Sequence, residues 1–458
     1  MIPLIHSGIL KAIDGQTSLE EIYRVCGDIS YAEELYQSLL ADKLDNKIIL
    51  DNDLYDNIQK ALSNFEIIQD LISKSTTKTI FQIINICALL YNASDIHIEP
   101  QEDRISIRYR IDGILTDKFT LPKEEYISFV SYLKQLINLE TDAGNIKEGR
   151  YSVEKDTKTD IRVSIVPSGY GETIVLRFLK TNINLDLDSL GFDTDDIEKI
   201  YTAKNNPSGI ILACGPTSSG KTTTIYSILK LLNDKSKKIL TIEDPIEYTV
   251  DNVIQTQVDI DKDYTFSNAL KGFLRQNPDI ILVGEIRDKE TAQVAVQASL
   301  TGHLILSTLH TIDISSSLLR LQNFDINKEE LLNSINCLIA QRLSRRLCPH
   351  CKKKVLLNNF QKEKIQQVLN ITPPEYIYEA VGCEQCSFTG YKGQIGLFEV
   401  LVLNDSIRKQ LTQSLEDKNF KETIYSLTDS LLKDALNKLI QGNTDVKEIE
   451  RVLGNKIF

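Results

Sequence analysis

The segment Gly215-Pro216-Thr217-Ser218-Ser219-Gly220-Lys221-Thr222 constrains this chain more than any other stretch of its 458 residues. The continuous apolar run Gly209 to Ala213 precedes it and reads as a strand buried on both faces. A helical pattern follows. Strand, glycine-rich loop and helix are the context in which this spacing forms a phosphate-binding loop. The ligand dictates the residue types. Glycines let the backbone wrap an anion, and successive N–H groups at a helix N-terminus stabilise its charge. Lys221 is expected to reach the β- and γ-phosphates of a nucleotide, and the Thr222 hydroxyl to bind Mg2+. The cradle is expected to extend through Thr223. A glycine-rich turn that matches by chance is the plain alternative, and it does not account for the flanking strand and helix.

Acidic groups downstream narrow the chemistry. Ile239 to Ile242 reads as a strand, and Glu243-Asp244-Pro245-Ile246-Glu247 follows at its C-terminal end, where ligands of open α/β sheets sit. Carboxylates there suit water activation and metal binding; a solvated acidic turn is the alternative. Ile280 to Val283 reads as a second buried strand, ending in Gly284-Glu285. Glu285 is expected to hold Mg2+ directly or through water. Arg287 and Asp288 come next. His303 and His310 flank a further apolar run, and are expected to sense the γ-phosphate or a subunit contact.

Upstream, the pattern is different. Ile105 to Ile111 alternates apolar and polar residues and runs into Asp112-Gly113, a strong hairpin signal. Helices are predicted over Lys78 to Tyr91 and Pro122 to Leu139, and strands over Arg150 to Val153, Asp160 to Val166 and Thr173 to Leu179. Residues 76–180 therefore read as a compact α+β unit. Residues 1–75 read as a short helical module, with helices near Leu19 to Val25 and Ala32 to Leu40. Residues 181–199 read as an acidic linker, and 200–458 as the nucleotide-binding domain. A helical C-terminal region is predicted from about residue 395, with Leu427, Leu431, Leu432, Ala435, Leu436, Leu439 and Ile440 at helical spacing.

Composition sets outer limits. Lys and Arg total 52 against 64 Asp and Glu, a net charge of −12, which argues against a surface that embraces nucleic acid throughout. There is no Trp to build a base-stacking platform. The apolar run Ile86 to Tyr91 is far too short to span a membrane, and Met1 to His6 lacks the basic and apolar regions of a signal peptide. A cytoplasmic protein that meets the membrane only through partners is expected.

These motifs carry a family resemblance. Thr241 to Tyr248 resembles the Asp box of the bacterial type II secretion and type IV pilus assembly ATPases. Leu274 to Asp288 resembles their Walker B stretch, and Thr301 to Thr311 their His box. Ala93 to Pro100 and Arg108 to Gly113 extend the likeness upstream, so that it covers about 76–458. The resemblance implies a PAS-like domain at 76–180 followed by a RecA-like P-loop motor domain, assembled as a homo-hexamer. It implies Glu247 as the general base that positions the attacking water, with Glu243 as the second candidate. It implies Arg162 and Arg177 as arginine fingers, and ATP and Mg2+ as ligands. It also implies an inner-membrane platform protein and a membrane-anchored cytoplasmic-domain protein as partners, with no direct role for nucleic acid. Ile312, Gln394 and Lys147-Glu148 depart from residues usual in the family, and none of these changes removes a catalytic group.

Cys26, Cys87, Cys214 and Cys337 are scattered, but Cys348-x-x-Cys351 and Cys383-x-x-Cys386 form two spaced pairs. Two thiolate pairs suit a closed tetrahedral Zn2+ site that clips an inserted subdomain at about 346–392. A redox pair, incidental core cysteines, or a set of three cysteines with His350 are the alternatives. The basic run Arg342, Arg345, Arg346, Lys352, Lys353 and Lys354 beside the first pair reads as a solvated or partner-binding face. These segments also resemble the metal-binding subdomain of the assembly ATPases, which retraction motors of the superfamily typically lack. The expected function is powering pilus or pseudopilus assembly. A retraction or DNA-uptake motor, a nucleic-acid translocase and a non-catalytic nucleotide-dependent scaffold are the alternatives.

Overall fold

The computed structural model describes residues 46–139, 145–179, 186–415, 417 and 420–454, together with positions 21, 22 and 25. The helices expected at Leu19 to Val25 and Ala32 to Leu40 otherwise lie outside the described residues. Contacts divide the chain into two compact units, Met1–Thr181 and Asn182–Phe458.

The first unit is built on a seven-stranded sheet. Its strands are β1 (Lys47–Ile49), β2 (Asp95–Pro100), β3 (Ile105–Ile111), β4 (Ile114–Leu121), β5 (Lys147–Glu154), β6 (Lys158–Ser168) and β7 (Gly171–Leu179). The order is β1-β5-β6-β7-β2-β3-β4, with β1 parallel to β5 and every other neighbour antiparallel. The Asp112-Gly113 hairpin is present as expected. Ile111 pairs with Ile114, and φ is +47° at Asp112 and +82° at Gly113. Positive φ at both central residues gives the turn whose twist matches the flanking strands. Helix Thr77–Leu90 buries Ile80, Phe81, Ile83, Ile84, Ile86 and Cys87 in this core. Its buried Asn85 is satisfied: Tyr151 donates to Oδ1 (2.8 Å), and Nδ2 donates to the Phe81 carbonyl (2.8 Å). Helices Asn52–Ala61 and Phe65–Lys74 share the same core through Ile58, Ile68 and Ile72. Gln69 exchanges two hydrogen bonds with the backbone of Thr120, both 3.0 Å, which covers the open edge of β4.

The second unit carries another seven-stranded sheet. Its strands are β8 (Gly209–Cys214), β9 (Ile239–Glu243), β10 (Ile254–Gln257), β11 (Ile280–Val283), β12 (Leu304–Leu309), β13 (Ile335–Leu347) and, after the small hairpin β14 (Lys353–Leu356) and β15 (Tyr376–Glu379), β16 (Tyr391–Val402). The order is β10-β9-β11-β12-β8-β13-β16, parallel except for β16 against β13. β8, β9, β11 and β12 are buried throughout, as strands with helices on both faces must be. One face packs on helices Phe266–Phe273, Lys289–Leu300, Ile314–Gln322 and Lys328–Ser334; the other packs on Thr194–Lys204 and Lys221–Leu232.

The C-terminal expectation needs correction. Residues 391–402 form strand β16, and helix resumes only at Asp405–Ser414. β16 is buried on both faces, so its apolar run has no two-residue alternation to separate it from a buried helix. The leucine stripe falls on two helices, Phe420–Leu427 and Leu431–Ile440. The acidic segment 186–204 forms helices Leu187–Leu190 and Thr194–Lys204, and Asp193 caps the second through the Asp196 N–H (2.8 Å).

Candidate active site

The phosphate-binding loop leaves β8 at Cys214 and enters helix Lys221–Leu232, at the C-terminal edge of the parallel sheet. Its tight path depends on glycine at both ends. A Cβ at Gly215 would collide with Ser219 Oγ and lie 2.6 Å from the Gln341 carbonyl oxygen. Gly220 caps the helix at φ +88°, a conformation that L side chains rarely adopt. Pro216, Thr217 and Ser218 are exposed or nearly so at the loop's outer side, Ser219 is buried, and Thr222 and Thr223 are half-buried. Lys221 is buried and folds back on the loop, donating to the carbonyls of Gly215 (3.0 Å) and Pro216 (2.9 Å). Burial brings its ammonium down to about 8, with Glu285 and Glu247 among the charges that oppose the shift.

Glu285 stands just beyond β11, beside β8's neighbour β12. It pairs with the Arg287 guanidinium and lies 3.4 Å from His310 Nε2. Arg287 also reaches Asp244, 3.5 Å away on the loop after β9. Glu247 is exposed on that loop. His310 follows β12 directly, and burial, then the Lys221 charge, hold its imidazole below the usual range. Lys221, Glu285 and His310 thus meet at one edge of the sheet, with Asp244 reached through Arg287.

Two expected residues stand apart from this cluster. Glu243 is buried within the fold, where Tyr226 donates to one carboxylate oxygen and Thr241 (2.6 Å) and Gln255 (3.2 Å) donate to the other. That network joins β9, β10 and helix Lys221–Leu232, and occupies the carboxylate in packing. His303 lies at the opposite end of β12. Its carbonyl accepts from the N–H of Gly209 at the start of β8 (3.1 Å), and its ring Nδ1 lies 3.0 Å from the Ala298 carbonyl. Within one chain it is remote from the phosphate-binding loop. Asp288 is a helix cap, accepting from the Thr291 N–H (2.8 Å). Gln341 carries no sequence signal; it reaches the loop from β13 across 122 positions, so no local pattern marks it.

In the first unit, Arg150, Arg162 and Arg177 are direct cross-strand partners on β5, β6 and β7. Like charges so placed repel. Glu148 offsets Arg162 (2.6 Å), and Asp95, opposite Arg177 on β2, offsets Arg177 (2.9 Å) and Arg110 (3.4 Å).

The two cysteine pairs converge. The sulfurs of Cys348, Cys351, Cys383 and Cys386 all lie within 4.8 Å of one another. Cys348–Cys383, Cys351–Cys386 and Cys383–Cys386 are 3.9, 3.8 and 3.8 Å apart. A tetrahedral ion with Zn–S bonds of about 2.3 Å has sulfur–sulfur edges of about 3.8 Å, so the donors fit Zn2+. Amide N–H groups point at the sulfurs, from Gly382 to Cys351 (3.4 Å) and from Cys383 and Gly390 to Cys386 (both 3.2 Å). Such donors favour thiolates. His350 is exposed and outside this group.

Comparison with known proteins agrees with these features. The profile of the Type II/IV secretion system protein family matches residues 71–451. The chain is 38% identical to type II secretion system protein E of Aeromonas hydrophila over 84% of its own length and 77% of that protein. It is 36% identical to the type IV pilus assembly ATPase PilB of Myxococcus xanthus, over 87% and 72% respectively. The fold matches the crystal structure of the Legionella pneumophila ATPase DotB with a TM-score of 0.62 at 22% identity, covering 82% of this chain and 95% of that one. This chain therefore belongs to the Type II/IV secretion system protein family and is one of its ATPases.

Proposed function

We propose that this protein hydrolyses MgATP to power assembly of a type IV pilus or a type II secretion pseudopilus. The observation that carries the reading is the meeting of Lys221, Glu285 and His310 at one sheet edge, with the exposed Glu247 close enough to act on the Lys221 charge. Lys221 exchanges its loop carbonyls for the β- and γ-phosphate oxygens. Loop N–H groups from Gly215 to Thr223 hold the remaining phosphate charge. The Thr222 hydroxyl and Glu285 are hard oxygen donors that fit Mg2+, which when bound screens charge on the phosphates. Glu247, exposed on the loop after β9, orients the attacking water. His310, beside Glu285 at the end of β12, contacts the terminal phosphate. Arg162 and Arg177, on a PAS-like first domain, neutralise charge on the transferring group.

We read the active assembly as a homo-hexamer in the cytoplasm that meets the inner membrane through a platform protein and a membrane-anchored partner. Among the described residues, no helix is long and apolar enough to cross a membrane. The four-cysteine subdomain, with Zn2+ as its expected ion, favours the assembly branch over the retraction branch. Phosphate release by the purified chain, with and without DNA, tests the proposal. Hydrolysis that Lys221→Ala abolishes and DNA leaves unchanged is expected. Hydrolysis that survives Lys221→Ala overturns the site, and strong DNA stimulation favours a translocase.

A further inference from the structure

One residue that braces the phosphate-binding loop comes from a distant strand. Gln341 on β13 is buried, and its Nε2 donates to the Ser219 carbonyl at 2.6 Å. Its main-chain oxygen fills the space a Cβ on Gly215 would take, and its side-chain amide does the same at Gly220, at 2.6 and 2.9 Å. Both glycines that bound the loop are therefore shaped around this one residue. The next residue, Arg342, donates to the Ile312 carbonyl (2.7 Å), two positions past His310. This part of β13 thus touches both loops of the site.

We propose that Gln341 is a positioning residue for the phosphate-binding loop, fixing the Ser219–Gly220 peptide so that its N–H faces the bound phosphates. The proposal rests on the reading that this loop binds nucleotide. A trans peptide points its C=O and N–H in opposite directions. Holding the Ser219 carbonyl against buried Gln341 turns the Gly220 N–H away from the core, toward the outer side of the loop where Thr217 and Ser218 are exposed. Glycine has no side chain to resist a peptide flip, and Gly220 already occupies the left-handed region. A flipped peptide would present a carbonyl dipole to the phosphates in place of an N–H. The Gln341 Oε1 and Ser219 Oγ atoms are buried without a hydrogen-bond partner, so the Nε2 contact is the polar tie that this amide makes to the loop.

The test measures affinity for a fluorescent ADP analogue with Mg2+, and steady-state hydrolysis, on the full zinc-loaded chain. Gln341→Met keeps the length and removes the donor. We expect its dissociation constant to rise about tenfold, the effect of one lost hydrogen bond. KM should rise in parallel with kcat within about twofold, because the N–H acts on ground and transition states alike. Gln341→Glu sets a carboxylate oxygen against the Ser219 carbonyl. Its affinity should be poorer than that of the Met variant at pH 8, and should recover as pH falls and the introduced carboxyl becomes a donor. The Met variant should show no such relative recovery. A purely structural residue would lower the melting temperature and leave the affinity of the folded protein unchanged. Wild-type binding in the same titration separates the two claims. No binding by wild type overturns the nucleotide reading. Wild-type binding with both variants within twofold at every pH overturns the role of Gln341 alone. If Gln341→Met fails to fold, the pH profile of Gln341→Glu decides, a flat profile overturning the proposal.

Discussion

Removing the metal from the four-cysteine cluster should open one subdomain and spare the motor core. The cluster ties together positions 35 residues apart, Cys348 to Cys383 and Cys351 to Cys386. Releasing a closure of that length returns about 4 kcal/mol of chain entropy to the opened state, roughly a thousandfold in its population. Without the cluster, the segment it closes is held by the β14–β15 ladder, a small core and a few polar ties. Its own core is Leu357, Ile365, Leu369 and Ile377, packed on Leu436 and Leu439. Polar ties to the C-terminal segment remain, from Tyr391 to Asp445 (2.9 Å) and from Lys352 to the Gly442 carbonyl (2.7 Å). Hydrogen exchange before and after chelation, or on Cys351→Ser, provides the assay. Amides of β14 and β15 should exchange up to about a thousandfold faster, while those of β8 and β12 keep their protection. Elemental analysis should find about one Zn2+ per chain. A folded chain that contains no metal and exchanges identically after chelation would refute the reasoning.

Further outcomes separate the carboxylates and set the pH response. Glu243→Ala should lower stability by about 3 kcal/mol, because Tyr226, Thr241 and Gln255 lose a shared buried acceptor. Glu247→Gln should abolish turnover while nucleotide still binds, and should cost less stability than Glu243→Ala; a melt paired with a phosphate-release assay distinguishes the two variants. Lys221, lowered to about 8 by burial, is charged below that value and neutral above it. Bound phosphate raises it again, so nucleotide binding takes up a proton at pH values above about 8. Affinity should be full below pH 8 and fall toward tenfold per pH unit above it, as read by titration at several pH values.

Much of the proposed catalytic edge is legible in the sequence because its chemistry is contiguous there. The phosphate-binding loop, Glu285 and the Asp112-Gly113 turn each carry their strand or turn context within a few residues. His303 stands away from the loop for a reason that the sequence also contains. It and His310 flank a single strand, Leu304–Leu309, and at about 3.3 Å per residue the two ends of that strand stand on opposite edges of the sheet. Glu243 sits at the last position of β9, with its neighbours Asp244 and Glu247 outside. Only the partners Tyr226 and Gln255, brought from other elements, reveal that its carboxylate is used in packing. β16 is hidden in the sequence because burial on both faces erases alternation, and Gln341 because its contact joins elements far apart along the chain.

The central claim is that ATP turnover at Lys221 drives filament assembly. The most direct measurement removes the gene and images surface filaments while assaying secreted proteins, with complementation by wild type or by Lys221→Ala. The account predicts loss of filaments or of secretion, restored by wild type and not by Lys221→Ala. Hyperabundant filaments would point to a retraction motor, and unchanged filaments with unchanged secretion would contradict the account.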